Sequence, residues 1–260
     1  MDGRWTMPES FPDLANGKLQ IWRIDLGDMG ATQAESQSML EISAAVLSSD
    51  ERDRAARMRA GGPREEFTVA RGSLRRLLGV AVCKDPARLV IEKGEHGKPF
   101  LRGVAGVVQP TFNVAHSHGI ILIALSAVGE VGVDVEFMDR TVELNDVARA
   151  AFHVDEVARV EQAGSLEERL EVFYRCWTRK EALLKADGRG LILEPTTFVA
   201  GSDEPKEQCV NLQGLFPGKE YFVRAIEVGS RHRAALATTE RGVAVQLVQF
   251  PTRMGATFPE

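Results

Sequence analysis

Seven consecutive residues, Val131 to Phe137, alternate without exception: Val131, Val133, Val135 and Phe137 are apolar, while Gly132, Asp134 and Glu136 form a polar row. That period of two is the pattern of a β-strand with one buried face, so both carboxylates project from the same side. Gly132 heads the polar row without a side chain and leaves room for a ligand or metal to approach the backbone. Two acids side by side repel unless a cation sits between them, and a divalent ion held by oxygen ligands is the natural candidate.

A second run, Trp177 to Lys185, reads as part of a helix. Ser165 and Glu168 make a capping box at its start, and Gly188 is its stop. Phe173, Trp177 and Leu184 share one apolar stripe, while Glu181 and Lys185, four apart, sit together on its shoulder. A third carboxylate and a cation are thus expected near the core boundary. Taken singly, each run reads equally well as an acidic strand end or an ordinary Glu-Lys helix pair.

The chain of 260 residues can bury a substantial core, as one large domain or two smaller ones. The longest apolar run, Gly119 to Val128, is too short to span a bilayer, and no basic-then-apolar leader opens the chain, so a cytoplasmic protein without a membrane partner is expected. Cys83, Cys176 and Cys209 are odd in number and widely spaced, which fits buried or semi-buried thiols rather than a disulfide framework or a zinc site. A net charge of −5 argues against nucleic acid as a partner. Ser48 to Arg102, however, holds 13 Lys and Arg against 8 Asp and Glu, a surplus of 13 − 8 = +5 that suits a polyanionic ligand.

Residues 1 to 16 read as an irregular leader, 18 to 26 as a strand, 27 to 30 as a turn and 34 to 47 as a helix. Ser48 and Glu51 offer a capping box that opens a helix to about Ala60, which Gly61, Gly62 and Pro63 break. The next helix, 64 to 78, places Phe67, Ala70, Leu74, Leu77 and Leu78 inward and lines up Arg64, Arg71 and Arg75 as a rail for phosphate oxygens or as a snorkelling border. A strand at 88 to 92, a turn at 94 to 97 and the return through Lys98 and Pro99 form a hairpin-like arrangement whose lysine serves either phosphate binding or solubility. Residues 112 to 114, a corner at His116, Ser117 and His118, and a strand at 120 to 126 follow. The corner lacks a third zinc ligand and the Gly-x-Ser-x-Gly elbow of a serine hydrolase, so neither chemistry is supported there. Helices are expected at 142 to 151 and 154 to 163, and strands of one antiparallel sheet at 221 to 228, 234 to 239 and 243 to 250. Without a visible repeat or linker, each half reads as helices plus antiparallel strands, the α+β class.

Gly132-Val133-Asp134-Val135-Glu136, followed by Trp177 to Lys185, resembles the signature of the 4′-phosphopantetheinyl transferases, specifically the larger single-chain type that activates peptide and polyketide synthases. Gly97-Lys98-Pro99 and Phe112 to Ser117 agree, in the family's order, and so does the glycine-rich turn from Asp187 to Leu191. The resemblance implies two similar α+β halves, residues 1–128 and 129–260, related by a pseudo-twofold with the ligand in the cleft between them. The first half would bind nucleotide phosphates and the second would carry the metal and catalytic residues. It implies transfer of the 4′-phosphopantetheine arm of coenzyme A to a serine of an apo acyl or peptidyl carrier protein, releasing adenosine 3′,5′-bisphosphate, by a monomer. Asp134, Glu136 and Glu181 would hold Mg²⁺. Glu181 would double as the base, and Lys185 and Lys180 would neutralise phosphate oxygens. Arg54, Arg57, Arg71, Lys98 and His116 would hold the nucleotide phosphates. Glu156 matches the neighbourhood of an acid that orders pyrophosphate and metal in relatives, or is a surface glutamate. Ala115 departs from the family, where a serine is common, so one hydrogen bond to phosphate or pantetheine is missing or replaced.

Two other readings use the same residues. A metal-dependent hydrolase of nucleotide pyrophosphates would need the same acids and cations but no acceptor. A non-catalytic module binding coenzyme A or a carrier protein is opposed by the intact Asp134, Glu136, Glu181 and Lys185.

Overall fold

The computed structural model describes residues 4–8, 14, 18–27, 33–104, 106–189, 193–201, 206–212 and 219–251. The expected leader falls mostly outside these residues, as do parts of the expected turns at 27–30 and 187–191. By internal contacts the chain forms two compact units: residues 1–92, 99–128 and 244–260 make the first, and 93–98 with 129–243 the second. The units are thus interleaved along the chain, where a single division at 128/129 was expected.

In the first unit, β1 (Leu19–Asp25), β4 (Thr111–Ser117), β5 (Ile120–Ser126) and β10 (Val245–Gln249) form a sheet in the order β10-β1-β5-β4. β5 pairs antiparallel with both β1 and β4, whereas β10 lies parallel to β1, with Leu19 opposite Val245. The expectation that residues 243–250 extend an antiparallel sheet with 221–239 is therefore corrected. Their apolar composition gives the strand but not its partner, and β10 joins the first unit's sheet through contacts such as the edge-on packing of Phe250 against Trp22, 5.9 Å apart. The histidine corner is also revised. His116 and Ser117 belong to β4, and the two-residue turn is His118 and Gly119, with φ of 45° and 86°.

Helices α1 (Gln33–Ala45), α2 (Ser49–Arg57) and α3 (Gly62–Ala81) belong to the same unit, and a short hairpin pairs β2 (Ile91–Lys93) with β3 (Pro99–Leu101). The apolar face expected of α3 is buried as expected, and Leu74, Leu77 and Leu78 join Trp22, Phe112, Ile121 and Ile123 in one core. The arginine rail is not a free border. Arg75 is 2% exposed and donates to the carbonyls of Pro86 and Leu89 at 2.9 and 3.0 Å, and Arg64 donates to the Met58 carbonyl at 2.8 Å.

Glu51 ties these pieces together. It caps α2 by accepting the Ser48 amide at 2.9 Å, and its two oxygens take Arg71 and Arg75, each at 2.5 Å. Burial pushes its carboxyl up, but the Arg75 hydrogen bond, the Ser48 amide and the charges of both arginines outweigh that, leaving it below its ordinary value of 4.5. A depressed pKa contributes stability that is present above 4.5 and is lost as pH falls through the folded-state value. Glu51→Gln is therefore expected to cost about 3 kcal/mol at pH 7, with the gap to wild type narrowing steadily below pH 4.5 in denaturant melts. A gap that stays constant down to acid unfolding would refute this.

In the second unit, β6 (Val131–Phe137), β7 (Gln208–Asn211), β8 (Glu220–Ile226) and β9 (His232–Thr238) form an antiparallel sheet in the order β6-β9-β8-β7. Helices α4 (Leu144–Ala151), α5 (Val154–Gln162) and α6 (Leu166–Asp187) complete the unit. Ser165 caps α6 by accepting the Glu168 amide at 3.1 Å, while the Glu168 carboxylate reaches back to the Gly164 amide, one residue beyond the box expected. Gly188 ends the helix in the left-handed region, at φ 85°. The apolar stripe of α6 serves two cores. Phe173 and Trp177, stacked on one another, pack with residues of α4 and α5, whereas Leu184 packs with Ala182, Leu183 and Ala186 among the residues of β8 and β9.

Candidate active site

α6 runs along β6, and what brings them close is an absence of side chains. A Cβ built on Gly132 would lie 2.1 Å from the carbonyl oxygen of Ala182 and 2.3 Å from the amide nitrogen of Ala186. The backbone approach that Gly132 permits is therefore that of a helix, not of a ligand or metal as expected. Ala182 and Ala186, one helical turn apart, supply the matching small surface, with Ala235 and Ala237 of β9 beside them in the same core. The consequence for the polar row is direct: it faces α6 instead of water.

Asp134, two residues along, is only 3% exposed. Its Oδ1 accepts a hydrogen bond from Lys185 Nζ at 2.6 Å. Its Oδ2 is buried and, among the described residues, has no partner in hydrogen-bond geometry. Burial raises the Asp134 carboxyl above its ordinary value, against the pull of Lys185 and of the Val135 amide. Glu181 is half-buried one turn before Lys185; burial raises it, the Asp134 charge raises it further, and Lys185 opposes both. The strand and helix acids thus share one electrostatic neighbourhood with one lysine. Glu136 is farther along β6, opposite Arg233 of β9, and its charge is felt by Tyr174, nearly two turns before Glu181 on α6.

Among the described residues no three His, Cys, Asp or Glu side chains are gathered closely enough to hold a metal ion. The chemistry of the site nevertheless fits a hard divalent cation. Asp134 Oδ2 is a buried oxygen without a donor, two raised carboxyls lie together, and all candidate ligands are carboxylates. Asp134 and Glu181 satisfy that fit most directly, with Glu136 third along the row.

Two lysines expected at phosphates are committed elsewhere. Lys180 is 2% exposed and its ammonium reaches the carbonyls of Pro195 and Phe198, each at 2.6 Å, and the Glu156 carboxylate at 2.7 Å. Its place inside the apolar stripe is explained by this: Lys180 turns inward and fixes the segment after α6 instead of reaching out of the core. Glu156 is neither at the acid cluster nor on the surface. It is 0% exposed and also accepts the amides of Ala200 and His153, at 2.7 and 3.0 Å. Lys98, in the hairpin turn that belongs to the second unit, donates to Ala186 O at 2.8 Å, Val131 O at 3.3 Å and Glu130 Oε2 at 2.7 Å. It caps the end of α6 and ties it to the start of β6, a favourable place for a cation at the negative end of a helix.

In the first unit, Arg54 and Arg57 are exposed on α2, with the Arg54 guanidinium 4.9 Å from the Phe67 ring centroid, and Arg71 is partly exposed beside Glu51. His116 is exposed and its Nδ1 lies 3.1 Å from Glu66 Oε2, whose other oxygen accepts the Gly119 amide at 2.6 Å. Ala115 is buried in β4 opposite Leu122. Glu66 and Glu130 were not singled out in the sequence, and Asp187 was seen only as the start of the glycine-rich turn. Asp187 takes Arg189 through both its oxygens and the Tyr221 hydroxyl, all at 2.5 Å, and so fixes the turn after α6.

A sequence profile described as the 4′-phosphopantetheinyl transferase superfamily matches residues 130–238, the stretch that carries β6 and α6. The 4′-phosphopantetheinyl transferase HetI of Nostoc sp. is 34% identical over 193 residues, which cover 74% of this chain and 78% of that protein. The 4′-phosphopantetheinyl transferase AcpT of Escherichia coli is 37% identical over 127 residues, 49% of this chain and 60% of that protein.

Proposed function

The chain belongs to the 4′-phosphopantetheinyl transferase superfamily, and from that premise we propose that it transfers the phosphopantetheine arm of coenzyme A to a serine of an apo acyl or peptidyl carrier protein. The observation that carries this reading is the buried Asp134 carboxylate, held by Lys185 and coupled to Glu181, inside the stretch that the family profile matches.

The serine oxygen attacks the β-phosphorus of coenzyme A, the bond to the bridging pyrophosphate oxygen breaks, and adenosine 3′,5′-bisphosphate leaves with that oxygen. Phosphoryl chemistry of this kind is positioning plus electrostatic stabilisation. Glu181, whose raised carboxyl is the stronger base for it, accepts the serine proton directly or through water. The Lys185 ammonium, one turn away, neutralises pyrophosphate oxygens as the bond breaks. Asp134, Glu136 and Glu181 would hold Mg²⁺, which when bound supplies Lewis-acid polarisation of the pyrophosphate. Arg54, Arg57, Arg71 and His116 hold the nucleotide phosphates. Lys98 and Lys180 already have structural partners for their ammonium groups, so the phosphates are assigned to the residues above. The pseudo-twofold relation of two similar halves, with the ligand in the cleft between them, and action as a cytoplasmic monomer belong to the same proposal. No described helix is long and apolar enough to cross a membrane.

Purified protein incubated with coenzyme A, Mg²⁺ and a panel of apo carrier proteins should add one phosphopantetheine to at least one carrier, read by mass spectrometry, and none to a carrier whose serine is alanine. Release of the bisphosphate without any carrier would favour the hydrolase instead. Binding of coenzyme A without transfer to any carrier would leave only the non-catalytic module.

A further inference from the structure

Asp134 has two oxygens in one buried place with opposite fates. Oδ1 is bound to Lys185 Nζ at 2.6 Å, and Oδ2 has no hydrogen-bond partner among the described residues. The carboxylate is 4% exposed and the lysine side chain 30% exposed, so one partner is sunk in the unit and the other reaches it from the solvent side. A buried carboxylate with no cation beside it is strongly disfavoured, and Glu181 nearby adds a second negative charge to the same neighbourhood. A divalent ion held by these acids would meet the Lys185 ammonium as a like charge.

We infer that Lys185 is the resident counter-ion of the metal-binding acids: it neutralises Asp134 whenever the divalent ion is absent, keeping β6 and α6 together through metal loss, and competes with the ion for that carboxylate. This rests on the metal assignment made under the proposed function. The lysine therefore has an antagonistic part in metal affinity besides its part at the phosphates. Its cation and the metal substitute for one another as stabilisers of a single buried charge.

The consequence is a stability difference that depends on the metal. In EDTA, Lys185→Met should melt roughly 5–10 °C below wild type, since it leaves a buried charge without its partner. Saturating Mg²⁺ should remove at least half of that gap, and calorimetry should show Lys185→Met binding Mg²⁺ roughly tenfold more tightly than wild type, with no coenzyme A or carrier present. Lys185→Arg, which keeps the cation, should behave like wild type in EDTA. A double-mutant cycle of Asp134→Asn with Lys185→Met should give a coupling that is large in EDTA and small in Mg²⁺.

Equal coupling in both conditions, or a Lys185→Met protein that fails to fold with and without Mg²⁺, overturns the inference while leaving the metal assignment in place. If Asp134→Asn binds Mg²⁺ as tightly as wild type, the metal assignment itself fails, and the inference with it.

Discussion

Asp134→Asn and Glu181→Gln are each expected to lower transfer to a carrier protein by roughly 10³-fold or more, with the protein still folded. Both substitutions keep size and hydrogen-bonding capacity and remove only the negative charge. Asp134 supplies the buried oxygen without a donor, and Glu181 is a half-buried acid whose carboxyl is raised by burial and by Asp134. Removal of either charge lowers the other's penalty, so the variants are not expected to unfold. Asp134→Asn also relieves Glu181 of its nearest negative neighbour, which makes a loss of activity there a loss of chemistry and not of structure. Circular dichroism and melting temperature check the fold, and the mass of the carrier reports transfer. Full activity in either variant would remove that residue from the mechanism.

Gly132→Ala is expected to cost about 3 kcal/mol or more, a fall in melting temperature on the order of 10 °C, and to abolish transfer with it. The added methyl would stand 2.1 Å from the Ala182 carbonyl oxygen and 2.3 Å from the Ala186 amide nitrogen. These are backbone atoms of a packed helix and cannot swing aside, so α6 must move off β6 and carry Lys185 away from Asp134. Because the obstruction is backbone, a second change of Ala186→Gly should not restore stability. A Gly132→Ala protein with wild-type melting temperature and activity would show that the two elements slide past one another at little cost.

The sequence was most informative where one local rule fixes one local structure. The strand from Val131 to Phe137, the Ser165 cap and the Gly188 stop all appear as expected, because each depends on residues within a turn or two. Side-chain partners were less legible. Lys98 and Lys180 are plausible phosphate ligands by type and position, but a lysine's ammonium lies far from its backbone, and here backbone carbonyls 15 to 88 residues away claim it. Gly132 announced a close approach without saying of what. β7 was missed because four residues at the sheet edge, with only Val210 buried, show no periodicity. His116 was visible, but Glu66, which holds its ring, lies 50 residues earlier on another element.

The parallel pairing of β10 with β1 sets the order in which the chain can become native. Contacts such as that between Gln249 and Arg23 close a loop of 226 residues, and one edge of β1 has no neighbour until the final strand has left the ribosome. During synthesis the second unit, made later but contiguous apart from its hairpin turn, has all of its sheet strands before the first unit does. Nascent chains would thus mature back to front, and the first unit, with the arginines of α2 and α3, would gain its finished scaffold last.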